Sequence, residues 1–245
     1  METEKLYTAF LNSNGVSIDT RTIKRGSIFF ALKGQNFDGN NFAKLALEKG
    51  ASFVVVDKNN LEKISSKVIL VNDALKTLQR LAKYHRLKLN INLIALTGSN
   101  GKTTTKDLIN QVLSKKYSVY STKGNLNNHI GVPLTILKLK KTHDIGVIEM
   151  GANHLNEIDA LCNISQPDWG YVTNFGKAHL EGFGSEENVI IGKSELYRYL
   201  IQNQGKVLIN GNDPIQVEQT IKNEVIQFGD KDNHHIKIKY LNNEL

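Results

Sequence analysis

The stretch LIALTGSNGKTTT, Leu93 to Thr105, runs apolar residues directly into Gly, Asn, Gly, Lys and three threonines. An apolar run that stops on a glycine-rich turn and restarts as a polar helix can aim several backbone N–H groups at one anion, with the helix dipole behind them. In that arrangement Lys102 reaches the outer phosphates of a nucleotide and the Thr103 hydroxyl holds Mg²⁺. The usual P-loop spacing puts a glycine five positions before Gly101, where this chain has Leu96, so the loop is a shortened variant, Gly98-Ser-Asn-Gly-Lys-Thr. A tight glycine turn before a well-capped helix is the blander reading. The order strand, loop, lysine, threonine, helix favours phosphate.

Three further segments carry groups that suit such a site. Glu149 closes the run DIGVIEM, and a carboxylate at a strand end beside a triphosphate is a natural Mg²⁺ ligand, although alone it is simply an acid at a strand end. His179 lies in the glycine-flanked NFGKAHLEGFG, where a lone histidine is more often a surface or packing residue. Lys193 and Glu195, in GKSELY, sit on a helix where lysines are ordinarily solvated. Their recurrence after successive strands of one sheet is what gives them weight.

The elements that must position these groups form an α/β pattern. SIFFAL (Ser27 to Leu32), SFVVVD (Ser52 to Asp57) and VILV read as strands. A helix in DGNNFAKLALEKG stops on Gly50, and Asp73 caps a second helix over ALKTLQRLAKYHR. After LKLNIN the pattern resumes with LIAL, a helix over TTTKDLINQVLSKK with Leu108, Ile109, Val112 and Leu113 on one face, and strands at YSVYST, DIGVIEM, WGYVTNF and KVLIN. A single helix is expected over SEENVIIGKSELYRYLI, with Ser185 as its cap and Glu186 and Glu187 in its first turn. VIQFGD and IKIKY add strand-like segments before the chain stops at LNNEL, which suggests a truncated chain. The expected fold class is α/β: a small N-terminal α/β domain over residues 1–86, then a mostly parallel P-loop-type sheet flanked by helices over residues 87–245, expected to be incomplete. Ligands of such sheets sit at the carboxyl ends of the strands.

Composition narrows the function classes. The chain has 245 residues, 40% of them hydrophobic and 22% charged, which suits a globular protein with a substantial core. No apolar run approaches the ~18 residues of a membrane span, and METEKLYTAF lacks the apolar core of a signal peptide. The single cysteine, Cys162, excludes an internal disulfide and fits a reducing cytoplasm. The net charge of +7 comes from scattered lysines without a basic–aromatic motif, which reads as a solvated basic surface and not as a nucleic-acid partner.

Taken together, DTRTIKRGSIFFALKGQNFDGNNF, TGSNGKTTTKD, GNLNNHIGVPLT, EMGANHLNEI, NFGKAHLEGFGS and GKSELY resemble the Mur ligases, ATP-dependent amide-forming enzymes of bacterial cell-wall precursor synthesis. The resemblance extends from about Ser17 to Pro214, and GNLNNHIGVP and GANHLNEI are particular to members that join D-alanyl-D-alanine to UDP-N-acetylmuramoyl-tripeptide. It implies that a peptide carboxylate attacks the γ-phosphate of ATP, giving an acyl phosphate, which the amine of D-alanyl-D-alanine then opens. By carry-over, ATP meets Gly98, Ser99, Asn100, Gly101, Lys102, Thr103 and Thr104. Thr103 and Glu149 serve one Mg²⁺, and His179 serves a second. Lys193 matches a lysine that carries a carbamate, an anionic oxygen ligand made from an uncharged amine and CO₂; an unmodified Lys193 cation on phosphate is the alternative. Lys102, His179 and Lys193 are thus the implied catalytic set.

The resemblance also places Asp19, Thr20 and Arg21 at the uridine diphosphate, where Arg21 pairs with the diphosphate in a forked geometry; a turn aspartate beside a surface arginine is the alternative. Asn125, Asn127, Asn128 and His129 fall at the muramyl-peptide and diphosphate, and Asn153 and His154 near nucleotide or peptide. A monomeric cytoplasmic enzyme is implied. Members of the family have a C-terminal domain to which nothing here corresponds, so the chain alone is expected to bind its ligands poorly and to ligate little. Competing readings are a relative that adds a single amino acid, a non-catalytic remnant that keeps the nucleotide loop, and, more distantly, a P-loop hydrolase with a nucleic-acid partner.

Overall fold

The computed structural model describes residues 3–176, 180–221 and 223–238. It resolves into two compact units, Met1–Leu89 with Pro133–Lys138, and Asn90–Val132 with Leu139–Leu245.

In the first unit, α1 (Thr3–Leu11) precedes β1 (Val16–Ser17) and β2 (Ile28–Phe30). There follow α2 (Ala43–Glu48), β3 (Phe53–Val56), β4 (Val68–Leu70) and α3 (Ala74–Lys88). The four strands pair in parallel in the order β1-β2-β3-β4. β2 is buried at all three positions and β3 at three of four, as expected of parallel strands covered on both faces. Phe29, Val54, Val56 and Val68 pack there against Ala43 and Ala46 of α2. Asp73 caps α3 as its sequence position predicts, accepting the Lys76 N–H at 2.8 Å.

The second unit begins with β5 (Asn92–Thr97), α4 (Lys102–Leu113), β6 (Val119–Ser121) and β7 (Ile145–Glu149); α5 (Gly131–Ile136) falls between the last two in sequence, and its residues from Pro133 onward belong to the first unit. Next come α6 (Glu157–Ser165), β8 (Trp169–Val172), α7 (Leu180–Phe183), α8 (Glu186–Lys193) and α9 (Glu195–Gln202). It ends with β9 (Lys206–Asn210), α10 (Pro214–Gln219), β10 (Ile226–Gly229) and β11 (Ile236–Lys237). The seven strands are parallel, in the order β11-β10-β9-β8-β5-β7-β6. α4 packs on β6 and β7, and α9 on β8 and β9. Gly170 of β8 lets Leu196 and Leu200 of α9 approach where any side chain would collide with them. The expected α/β class with parallel sheets is what forms.

β5 lies between β7 and β8, so the chain first builds β6 and β7 on one side of β5 and then crosses to build β8 to β11 on the other. The carboxyl end of β5 is therefore the switch point, where such sheets bind ligands.

Two local expectations differ. The predicted apolar face of α4 is only partly covered: Ile109 and Leu113 are half-buried, but Leu108 is 58% and Val112 69% exposed, and the buried residue of that helix is Lys106, whose Nζ donates to the Thr122 carbonyl at 3.0 Å. The single helix expected from Ser185 is two helices meeting at Ser194, with Ser185 capping the first through the Asn188 N–H at 3.2 Å. Among the described residues no helix is long and apolar enough to cross a membrane.

Candidate active site

The glycine-rich loop between β5 and α4 is stitched to the segment that follows β8. The Ser99 N–H donates to the Asn174 carbonyl at 3.1 Å and the Asn100 N–H to Asn174 Oδ1 at 3.1 Å. Thr173 Oγ1 donates back to the Asn100 carbonyl at 2.6 Å, and Ser99 Oγ to that of Gly176 at 2.6 Å. Gly98 makes this approach possible. Its φ is 141°, and a Cβ there would fall onto the Thr173 hydroxyl and within 3.0 Å of the Thr173 nitrogen. Gly101, at φ 75°, then starts α4 without a side-chain cap, leaving the first turn to an outside acceptor.

Lys102 curls back over the loop and donates to the carbonyls of Gly98 at 2.7 Å and Ser99 at 3.1 Å. Burial lowers its pKa, and the Glu149 carboxylate acts in the opposite sense. Glu149 is 1% exposed at the end of β7. Its Oε2 accepts the Thr103 hydroxyl at 3.0 Å, its Oε1 accepts Asn127 Nδ2 at 2.8 Å, and its N–H donates to Thr122 Oγ1 at 3.0 Å. Thr103 and Glu149 are thus brought together as the sequence suggests. A hydroxyl and a carboxylate side by side suit Mg²⁺, which binds few protein oxygens and keeps water and phosphate for the rest. Among the described residues, no three His, Cys, Asp or Glu side chains gather as a metal cluster.

Asn127 also accepts the Gly151 N–H through its carbonyl at 2.7 Å, tying its loop to the one after β7. Asn128 Oδ1 accepts the N–H groups of Ile130 and Gly131 at 3.1 and 2.9 Å and so starts α5. Asn125 and His129 are exposed on the same loop. Asn153 and His154, also exposed, have their N–H groups held by Glu157 Oε2 at 2.6 and 3.1 Å.

Lys193 is fully buried at the end of α8. Its Nζ donates to the Ala152 carbonyl at 3.1 Å and lies 5.3 Å from the centre of the Phe183 ring. Burial, with the charge of Lys102 adding to it, pulls its pKa down to about 8, against the opposing pull of Glu157 and Glu195. An amine so placed is partly uncharged near neutral pH. His179 lies outside the described residues.

In the first unit Arg21, with 87% of its side chain exposed, forks onto Asp19: Nη2 to Oδ2 at 2.6 Å and Nε to Oδ1 at 3.0 Å. That side-chain bond, more than any other cause, lowers the Asp19 pKa to about 2. The Thr20 carbonyl accepts Lys49 Nζ at 2.9 Å. The loop follows β1, so the three residues sit at a strand's carboxyl end in their own sheet.

Sequence reasoning missed the anchoring role of Thr173 and Asn174, although VTNFG follows a strand and offers side chains that can bind a neighbouring backbone. It noted Glu195 beside Lys193 but assigned it no role; the carboxylate is 4% exposed and accepts the N–H groups of Asn156 at 2.6 Å and Asp159 at 2.9 Å.

Residues 96–244 match the Mur ligase middle domain, and residues 12–86 match the model described as Mur ligase family, catalytic domain. A UDP-N-acetylmuramoyl-tripeptide–D-alanyl-D-alanine ligase of Bacillus subtilis is 41% identical over 203 residues, 82% of this chain and 44% of that protein. The crystal structure of MurF from Acinetobacter baumannii superposes with a TM-score of 0.82 at 33% identity, covering 93% of this chain and 53% of that one. MurF of Thermotoga maritima in complex with ADP gives 0.81 at 32% identity, with coverage of 91% and 51%. The chain thus spans about half the length of the relatives it matches. With the shortened phosphate loop, the Thr103–Glu149 pair and the buried Lys193 in place on a matching sheet, the chain belongs to the Mur ligase family.

Proposed function

We propose that the chain is the nucleotide-handling and UDP-substrate-binding part of a ligase that joins D-alanyl-D-alanine to UDP-N-acetylmuramoyl-tripeptide at the expense of ATP. The observation that carries this reading is one switch point furnished with an anion-ready loop, a buried carboxylate–hydroxyl pair and a lysine with a depressed pKa.

Both half-reactions bring anions together, so this chain's task is alignment and charge neutralisation and not nucleophilic attack. Lys102 exchanges the Gly98 and Ser99 carbonyls for the β- and γ-phosphates, while the N–H groups opening α4, through Thr103 and Thr104, hold their oxygens. Thr103 and Glu149 would hold Mg²⁺, which when bound screens phosphate charge. The tripeptide carboxylate attacks the γ-phosphate and ADP leaves; the D-alanyl-D-alanine amine attacks the acyl phosphate and inorganic phosphate leaves. In this reading the Lys193 amine, neutral as its burial favours, forms an N–C bond to CO₂ and releases one proton to solvent, becoming an anionic carbamate oxygen donor, and His179 completes that side. Asn127 holds Glu149 in place, while Asn125, Asn128, His129, Asn153 and His154 face the sugar–peptide substrate. Asp19, Thr20 and Arg21 take the uridine diphosphate, which competes with Asp19 for the Arg21 fork.

The test combines two assays. Binding of ADP with Mg²⁺ to the chain is measured by calorimetry, and phosphate release is followed with ATP, Mg²⁺, UDP-muramyl-tripeptide and D-alanyl-D-alanine, omitting each in turn. The second assay is run with and without the remaining half of a relative. Weak ADP binding that Lys102→Ala abolishes, and release that needs every component, support the reading; wild-type chain without nucleotide binding refutes it.

A further inference from the structure

Lys193 and Glu195 flank Ser194, the junction between α8 and α9, and both reach the same loop from that one point. Lys193 Nζ donates to the Ala152 carbonyl at one end of the loop, and Glu195 accepts the Asn156 and Asp159 N–H groups at its other end. Asn156 has φ 66° and gives α6 no side-chain cap, so a carboxylate from another helix does the capping. The loop between these anchors is continuous with Gly151, which is bound to Asn127, the residue that holds Glu149. Asn153 and His154 ride on it, held by Glu157.

We infer that Glu195 is a positioning residue of the nucleotide site, fixing the 152–159 segment so that the Ala152 carbonyl meets the Lys193 amine. Glu195 touches none of the reacting atoms. Its two oxygens accept backbone N–H groups, the Arg198 guanidinium lies 4.0 Å from Oε1, and at 4% exposure the carboxylate is largely shielded from solvent. Without its carboxylate the start of α6 loses two acceptors, and the carbonyl that receives Lys193 is no longer held in register with α8. The inference rests on reading Lys193 as a site lysine, and the experiment separates the two claims.

The chain is labelled with ¹³C-lysine, and the Lys193 Cε signal is assigned by its disappearance in Lys193→Met. In Glu195→Gln, which retains size but loses one acceptor, the signal is expected to move beyond its linewidth. In Glu195→Asp, which keeps the charge but draws it back from the Asn156 and Asp159 N–H groups, it is expected to remain displaced. A full return there would show that the charge of Glu195 alone acts on Lys193 and would overturn the inference. Ser185→Ala loosens the far end of α8 and is expected to leave the signal in place. A Lys193 signal unmoved in folded Glu195→Gln overturns the inference, and so does an equal displacement in Ser185→Ala, which would show general loosening. If Glu195→Gln does not fold, Glu195→Asp is read by the same signal, and an unmoved signal there counts against the inference equally. Calorimetry with ADP and Mg²⁺ on the wild-type chain stands apart: no binding refutes the proposed function, while the Lys193 signal still decides the role of Glu195.

Discussion

Replacing Lys193 by methionine removes an amine from a fully buried position and keeps most of its aliphatic volume. The amine titrates near 8 in the folded chain against an ordinary value of 10.5. An unfolded chain therefore takes up this proton as pH falls through 10.5, while the folded chain resists until about 8. Above 10.5 the lysine is neutral in both states and carries no penalty. Below 8 it is charged in both, and folding is disfavoured by about 3 kcal/mol, the free energy of a shift of some two and a half units. Methionine has no such term, but it abandons the Ala152 carbonyl, a loss of about 1 kcal/mol. The variant is accordingly expected to be more stable than wild type by about 2 kcal/mol at neutral pH, and less stable by about 1 kcal/mol above the window. Urea unfolding in CO₂-free buffer across the window reads this directly, since other groups titrating there are common to both chains. Parallel pH profiles for the two proteins would refute the reasoning.

Two further perturbations test the frame around the site. Gly98→Ala places a methyl on the Thr173 hydroxyl at a φ of 141°; the loop must shift at a cost of about 1–3 kcal/mol, and binding of ADP should be lost while the far-ultraviolet circular dichroism is retained. Asp73→Ala removes the acceptor for the Lys76 N–H, and the first unit should lose about 1 kcal/mol of stability in thermal unfolding, with nucleotide binding unchanged.

The parts of this molecule legible in its sequence are those decided locally. Apolar runs bounded by glycine gave the positions of β2, β3, β5, β7, β8 and β9, and the caps at Asp73 and Ser185 form as their neighbours predict. Thr103 and Glu149 were legible as partners because one opens the helix after an apolar strand and the other ends a second strand of the same parallel pattern. What escaped is what depends on distant contact. Leu108 and Val112 have helical spacing, yet spacing says only that they share a side of α4, not that anything covers it. The break at Ser194 and the burial of Glu195 follow from a loop 36 to 39 residues earlier in the chain that needs an acceptor. Asn127 likewise reads as a polar loop residue until Glu149 is seen beside it.

The strand order of the second unit has a consequence for how the protein is made. β5 is an interior strand, but both its neighbours come from later in the chain, and the Leu93 N–H is received by Asp168, 75 residues away. As the polypeptide emerges from the ribosome, β5 and the phosphate loop are therefore synthesised well before the segments that hold them. Such non-local pairing folds slowly and leaves apolar edges open meanwhile. The loop that defines the site acquires its shape only when Thr173 and Asn174 arrive to bind it, so translation stalled before them should leave β5 a substrate for chaperones.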